Sequence, residues 1–115
     1  MIHVYGIPNC DSVKKALQWL KHHDMAFTFH NFRTDGITAA LLKKWSAKSG
    51  WEVLLNKKST TWRGLTPEEQ EVTTQAGAVQ LMKQYPSLIK RPVIEYNNEL
   101  LVGYNDEAYT KHLKS

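Results

Sequence analysis

The first part of the chain alternates between strand-like and helix-like patterns of apolar side chains. Ile2-His3-Val4-Tyr5 alternates apolar and polar residues, as a half-buried strand does. Apolar residues then recur at helical spacing from Val13 to Leu20, after Ser12, which is a typical helix N-cap. Phe27–Phe32 alternates again. This order predicts a βαβ unit with a right-handed crossover.

The middle of the chain changes to a helical pattern. Thr38 caps a predicted helix that ends at Gly50. Thr66-Pro67-Glu68-Glu69 is a capping box with proline at the first helical position, which predicts the start of another helix. A further helix is predicted over Ala76–Tyr85. We therefore expect residues 36–87 to form an all-helical insert with connecting loops.

The last third of the chain returns to a strand pattern. Val93–Val102 predicts a β-hairpin whose strands meet at Asn97-Asn98, since asparagine tolerates positive φ. Asn105 or Asp106 caps a predicted final helix that ends at Leu113. The predicted fold is α/β, with the order βαβ, helical insert and ββα. We expect one domain over residues 1–115, divided into 1–35, 36–87 and 88–115.

Composition and charge narrow the class of protein. With 115 residues and 42% hydrophobic content, the chain is long enough for one independent core. Its single cysteine rules out an internal disulfide, as is usual in a reducing cytosol. The N-terminal sequence lacks the pattern of a signal peptide, and we expect a cytoplasmic protein without membrane association. The net charge of +4 comes from scattered basic residues, and we expect no nucleic-acid partner.

The lone cysteine lies where the first strand gives way to the first helix. Cys10 belongs to the turn Pro8-Asn9-Cys10-Asp11-Ser12. Free N–H groups and the positive dipole end of the helix would lower the pKa of the Cys10 thiol. Lys14 and Lys15 act in the same direction, whereas Asp11 opposes them. The alternative is that Cys10 is a small buried hydrophobic residue without reactivity.

Several spaced motifs resemble one protein family along the whole chain. They are Tyr5–Ala16 around the cysteine, Asn56–Arg63, Ser87–Val93 and Leu101–Tyr104. Together they resemble the ArsC/Spx family, and within it the YffB-like branch. The resemblance implies a thioredoxin-like fold with a four-stranded mixed sheet. In such folds a proline, here Pro92, opens the third strand, and we expect a cis peptide bond before it.

The same resemblance implies two activities that this chain matches incompletely. The family's glutaredoxin-coupled arsenate reductases use a cysteine matching Cys10 and three arginines for the oxyanion. One arginine matches Arg91, but the other two positions hold Asn56 and Gly103. Basic residues near Asn56 are possible substitutes for the first of these: Lys57, Lys58 and Arg63. Because a dianion needs several charged donors, efficient arsenate reduction is not expected. The family's transcriptional regulators carry a Cys-x-x-Cys switch and bind RNA polymerase, whereas Val13 replaces the second cysteine here.

The resemblance favours a glutathione-dependent thiol-disulfide reductase in which Cys10 is the nucleophile. A monothiol needs an external thiol, and glutathione is the expected co-substrate, with a glutaredoxin-type partner for recycling. Arg91 would anchor the glutathione carboxylate or the thiolate, unless it is a solvated charge. The other candidate substrate-binding or glutathione-binding residues are Asn9, Ser12, Lys14 and Pro92. The alternative function is a non-catalytic module that docks on RNA polymerase or another protein.

No metal site is expected from the sequence. His3, His30 and His112 lack the spacing of zinc ligands, and no second ligand lies nearby in the chain.

Overall fold

The computed structural model describes residues 2–114, which form two compact units. The first consists of the described residues up to Gly36 and from Arg91 onward, and the second is Ile37–Lys90. The bounds of the second unit nearly match those of the predicted insert, residues 36–87. That the whole chain folds as a single domain stays a prediction.

Strands and two of the longer helices belong to the first unit. Its strands are β1 (Ile2–Gly6), β2 (Phe27–Asn31), β3 (Val93–Tyr96) and β4 (Glu99–Val102). In chain order, the helices of the protein are α1 (Asp11–His22), α2 (Phe32–Asp35), α3 (Ala39–Ser49), α4 (Trp51–Leu54), α5 (Thr60–Arg63), α6 (Gln75–Gln84) and α7 (Asp106–Leu113). Short 3-10 helices cover Glu69–Glu71 and Pro86–Leu88. No helix within residues 2–114 is long and apolar enough to cross a bilayer.

The four strands form one mixed sheet in the order β2-β1-β3-β4. β1 is parallel to β2 and antiparallel to β3, which in turn is antiparallel to β4. The predicted hairpin forms, and Asn97 and Asn98 in its turn have φ values of 48° and 65°. A βαβ unit followed by a ββα unit on such a sheet confirms the thioredoxin-like fold.

The core of the first unit joins one face of the sheet to helices α1 and α7. Every member of this cluster is buried: Ile2, Val4, Ala16, Trp19, Leu20, Ile94, Tyr109 and Leu113. The two helices are also joined by a hydrogen bond, since Trp19 Nε1 donates to Asp106 Oδ1 over 2.7 Å. Asn105 caps α7 by accepting from the Ala108 N–H at 3.0 Å, as one of the two predicted caps. The helix that carries Cys10 is therefore fixed to the sheet and to α7.

The second unit has its own buried side chains, and three of its helices, α3, α5 and α6, begin at residues whose side chains cap them by a hydrogen bond. Thr38 caps α3 as predicted, and Gly50 ends it with φ 86°. Apolar side chains of α3, α4, α6 and the second 3-10 helix are buried, as are the residues that follow α4 and that 3-10 helix: Leu42, Trp45, Leu54, Leu55, Ala78, Val79, Leu81, Met82, Leu88 and Ile89. A single β-bridge pairs Leu55 with Ile89.

Three short helices and one helix start differ from the sequence prediction. Helices α2, α4 and α5 were not predicted individually, although α4 and α5 lie within the insert expected to be helical. Ser59 accepts from the Trp62 N–H over 3.1 Å and so starts α5 within a polar stretch. Thr66 and Glu69 form both hydrogen bonds of a capping box. Only a 3-10 helix follows them, and α6 starts later, at Gln75, with Thr74 as its N-cap.

Candidate functional site

Cys10 is the N-cap residue of α1. Its backbone is extended (φ −103°, ψ 129°), and its carbonyl accepts from the Lys14 N–H over 2.9 Å. The prediction that Ser12 is the N-cap was wrong, because the helix begins at Asp11. The Cys10 side chain thus lies at the N-terminus of α1, where the first N–H groups have no partner within the helix. The first N–H groups of α1 are therefore available to the cysteine side chain.

Close packing between β1 and α1 holds the cysteine loop in place. Gly6 ends β1 and is buried, and a Cβ built on it would lie 2.7 Å from Val13 Cγ2. Val13 is itself fully buried. Because no side chain fits between the strand end and the helix, the loop from Ile7 to Cys10 turns tightly. The sequence signal for this contact is a glycine directly after an apolar strand.

The surroundings of Cys10 stabilise its thiolate. The side chain is partly exposed. Partial burial acts against ionisation, but it is outweighed by the Val13 N–H, the Arg91 guanidinium and the Ser12 N–H, which donate hydrogen bonds to the sulfur. The pKa of the Cys10 thiol is therefore lowered. The predicted direction of this shift is confirmed, and the helix N-terminus contributes to it as expected.

The positive charge that acts on Cys10 comes from Arg91 rather than from the lysines. Arg91 adds its charge to its hydrogen bond. Lys14 and Lys15 are exposed and are not among the groups that lower the pKa of the thiol. Assigning the second contribution to the lysines was therefore wrong. The reason is that the Lys14 and Lys15 side chains lie on the exposed surface of α1, whereas Arg91, just before β3, lies beside the sulfur.

The Arg91-Pro92 peptide bond is cis, as predicted. Pro92 is buried, and its carbonyl accepts from the Gly103 N–H over 2.8 Å. Gly103 has φ 84°, a value that favours glycine. The Tyr109 hydroxyl donates to the Gly103 carbonyl over 2.8 Å. The sequence had suggested that Gly103, besides replacing an arginine, is needed for its backbone freedom, and its positive φ agrees with this. Tyr109 was not identified from the sequence.

The other predicted site residues differ in what they contribute. Asn9 is exposed in the turn before Cys10. The backbone N–H of Ser12 contacts the sulfur. Lys14 takes part through its backbone, while its side chain lies on the exposed surface of α1. The structure thus brings Ser12, Arg91 and Cys10 together, and it leaves the substrate-binding roles of the set as predictions.

A polar cluster on the sheet was not expected from the sequence. His3 Nδ1 and His30 Nε2 lie 3.0 Å apart, although the sequence had suggested no neighbour for either histidine. The Tyr5 ring stacks on His30 with centroids 4.4 Å apart, and its hydroxyl donates to Glu95 over 2.9 Å. The parallel pairing of β1 with β2 creates this contact. Within residues 2–114, no group of three or more His, Cys, Asp or Glu side chains could hold a metal ion.

The two positions that lack the expected arginines have local structural roles. Asn56, in the second unit, accepts from the Lys58 N–H through its side chain over 3.1 Å, and its carbonyl accepts from the Ser59 hydroxyl over 2.9 Å. Gly103 has the positive φ and the two hydrogen bonds described above. Both residues therefore stabilise the local backbone conformation where they lie.

Comparisons with known proteins agree with this architecture. A model of the ArsC family matches residues 5–112. The solved structure of the protein YFFB (PA3664) has a TM-score of 0.95 and is 40% identical, with 98% of this chain and 99% of that chain covered. An arsenate reductase (ArsC) related protein from Brucella melitensis has a TM-score of 0.77 and is 38% identical, with 99% and 95% covered.

A transcriptional regulator is also similar. The global transcriptional regulator Spx of Streptococcus mutans is 30% identical over 93% of this chain and 79% of that protein. The similarity to YFFB agrees with the branch indicated by the sequence motifs. On the family match and these relatives, the chain belongs to the ArsC family.

Proposed function

We propose that the protein is a glutathione-dependent thiol-disulfide reductase with Cys10 as its nucleophile. The observation that carries this proposal is the partly exposed Cys10 sulfur, which accepts hydrogen bonds from two N–H groups of α1 and from Arg91. The thiolate is the nucleophilic form of cysteine, and an ordinary thiol is only about 3% ionised at pH 7. Lowering the pKa of the thiol therefore raises the reactive fraction near neutral pH.

The reaction proceeds by two exchanges after the first attack. The Cys10 thiolate attacks one sulfur of a substrate disulfide, forms a mixed disulfide and releases the other sulfur as a thiolate. A glutathione thiolate then attacks the Cys10 sulfur and releases the second substrate thiol. A second glutathione, or a glutaredoxin-type thiol, attacks the glutathione sulfur and frees Cys10. With two glutathiones, one substrate disulfide gains two electrons and two protons, and one glutathione disulfide forms.

Arg91 and the helix N-terminus act in the first and last steps of this scheme, in which Cys10 is the attacking thiolate and then the leaving group. They stabilise the negative charge on the Cys10 sulfur, which makes it a better leaving group when Cys10 is regenerated. Arg91 also supplies a guanidinium beside the sulfur, where a glutathione carboxylate could pair with it. Asn9, Ser12, Lys14 and Pro92 complete the proposed glutathione-binding set. The reducing cytosol supplies glutathione, so the proposal includes a cytoplasmic location.

Arsenate reduction is the less favoured enzymatic activity. A relative of this chain is described as related to arsenate reductase. An arsenate dianion requires several charged donors, however, and Asn56 and Gly103 occupy two of the three expected arginine positions. We expect arsenate turnover well below the rate of disulfide reduction.

A docking module is the second candidate function. The observation that favours it is the 30% identity to an Spx regulator. In that case the protein would bind RNA polymerase or another protein, and Cys10 would act at most as a sensor. Val13 leaves no second cysteine for an internal disulfide switch. Binding by such a module would tolerate Cys10→Ala, whereas the enzyme would lose all activity.

Mass spectrometry after incubation with oxidised glutathione tests the first step. The expected result is one glutathionyl group per chain, on Cys10, and none on the Cys10→Ser variant. A coupled assay on glutathione mixed disulfides should then show turnover that requires reduced glutathione and Cys10. Modification without any turnover across a panel of disulfide substrates would contradict the reductase and favour the docking module.

A further inference from the structure

A chain of hydrogen bonds leads from the core of the first unit to the residue beside Arg91. The Tyr109 hydroxyl donates to the Gly103 carbonyl over 2.8 Å. The Gly103 N–H then donates to the Pro92 carbonyl over 2.8 Å. Pro92 follows Arg91 directly, and Arg91 donates to the Cys10 sulfur. Backbone groups of Gly103 and Pro92 thus connect the Tyr109 hydroxyl to Arg91, and the Arg91 side chain reaches the Cys10 sulfur.

Tyr109 is itself held firmly, so it can fix the position of its partner. The side chain is fully buried. Its ring is in edge contact with the rings of Trp19 and Tyr104, at centroid distances of 5.4 and 5.3 Å. Burial raises the pKa of the Tyr109 hydroxyl, so the group remains a hydrogen-bond donor at all ordinary pH values.

The same packing joins Tyr109 to the helix that carries Cys10. Trp19 lies on α1, and its indole N–H donates to Asp106 at the start of α7, over 2.7 Å. Cys10 and Tyr109 therefore belong to two helices that share one core. Tyr109 bonds to Gly103, just after β4, and Gly103 bonds to Pro92, so the loop before β3 is linked through Gly103 to these two helices.

We propose that Tyr109 is a positioning residue that holds Arg91 beside Cys10 through Gly103 and Pro92. The inference rests on the proposed function, because it assigns a role in forming the reactive thiolate. It also gives Gly103 a function in this chain. An arginine at that position would place a Cβ on a backbone with φ 84°, in the middle of the link.

The test measures the rate of Cys10 alkylation by iodoacetamide as a function of pH. Tyr109→Phe removes the hydroxyl and keeps the buried ring. In this variant we expect the pH midpoint of alkylation to rise and the alkylation rate at pH 7 to fall by about threefold, because the hydrogen bond from the charged Arg91 to the sulfur is weakened. Tyr96→Phe is the matched control, since Tyr96 packs against the same core outside this chain of bonds. Its profile should equal that of the wild type.

A double-mutant cycle shows whether Tyr109 acts through Arg91. In an Arg91→Ala background, Tyr109→Phe should leave the alkylation profile unchanged, because the group it positions is gone. A merely structural role would lower the rate equally in both backgrounds, and that result would overturn the inference. Thermal unfolding of each variant identifies any loss of folded protein.

The outcomes separate this inference from the proposed function. A wild-type midpoint at the ordinary thiol value would overturn the proposed function, and the positioning role would fall with it. A lowered wild-type midpoint with an unchanged Tyr109→Phe profile would overturn the positioning role alone. A lowered midpoint that rises in Tyr109→Phe, only when Arg91 is present, would support both.

Discussion

At the scale of single residues, the reactivity of Cys10 depends on a balance between burial and a few donors. Burial is the largest single influence, and it opposes ionisation. Two N–H groups from consecutive residues of α1 and one guanidinium outweigh burial, so the pKa of the Cys10 thiol is lowered. Because each donor is a separate group, the balance can be shifted one group at a time.

Replacement of Arg91 tests the largest side-chain contribution to this balance. In Arg91→Ala, we expect the pKa of the Cys10 thiol to rise and its alkylation rate at pH 7 to fall by about threefold to tenfold. A charged hydrogen bond contributes about 1.5–3 kcal/mol, of which solvent screens a part. The alkylation rate measured across pH checks this. Arg33→Ala is the control, since Arg33 is an exposed arginine of the same unit. An equal effect of both substitutions would point to net charge instead.

The lowered pKa of the Cys10 thiol also predicts how stability depends on pH. Between the folded-state pKa and the ordinary thiol value, the unfolded chain binds more protons at Cys10 than the folded chain does. The free energy of unfolding should therefore rise with pH through that window, and the contribution should vanish below the folded-state pKa. Cys10→Ser should lack this rise, with other pH effects preserved.

Urea unfolding of both proteins at a series of pH values measures the difference. The informative quantity is the wild-type stability minus that of Cys10→Ser. A difference that stays constant up to about pH 8.5, the ordinary thiol value, would show that the folded state does not favour the thiolate.

Sequence reasoning identified the chemical groups of the site better than their neighbours. Cys10, Arg91 and Pro92 could be predicted because motif positions in a thioredoxin-like chain define them. The lysine contribution was wrong and the contact between His3 and His30 was missed, because both depend on which side chains meet in the folded chain. Such contacts follow from strand pairing, for which a single sequence gives no register.

At the scale of elements, local signals were reliable where the chain itself supplies the hydrogen-bond partners. The asparagine turn and the caps Thr38 and Asn105 were predicted, since each involves residues within a few positions of one another. The capping box at Thr66 formed its hydrogen bonds but was followed by only one short turn. Helix length there depends on tertiary packing, which the box does not encode.

The contact between β1 and α1 gives an element-scale prediction. In Gly6→Ala, the new Cβ would lie 2.7 Å from Val13 Cγ2, so the strand end and the helix must separate. We expect a loss of about 1–3 kcal/mol in the free energy of unfolding, as for other overpacked cores. Cys10 alkylation should slow as well, because the first turn of α1 moves. Urea unfolding and alkylation measure the two effects.

Val13→Ala provides the matched rescue. Alone it should destabilise the protein by leaving a cavity. Combined with Gly6→Ala, it removes the atom that clashes, so the double variant should be more stable than the sum of the single effects implies. Strictly additive losses would show that Gly6 is required for some other reason.

At the scale of the whole molecule, the topology couples the two units through the chain. The second unit, Ile37–Lys90, is inserted between β2 and β3, and both of these strands pair with β1. Forming the sheet therefore closes a loop that contains the whole second unit. A folded insert holds part of this loop in a fixed conformation and reduces the conformational entropy that closure costs. The stability of each unit should then depend on the other.

This coupling leads to the prediction of a single cooperative unfolding transition, as expected of one domain. Leu20→Ala in α1 and Leu42→Ala in α3 are matched tests, since both side chains are fully buried, one in each unit. Each should cost about 2–5 kcal/mol. Hydrogen exchange followed by mass spectrometry in increasing urea should show that either substitution lowers the midpoints for β1 and for α6 together. If Leu42→Ala lowered only the α6 midpoint, the units would unfold independently and the single-domain prediction would be wrong.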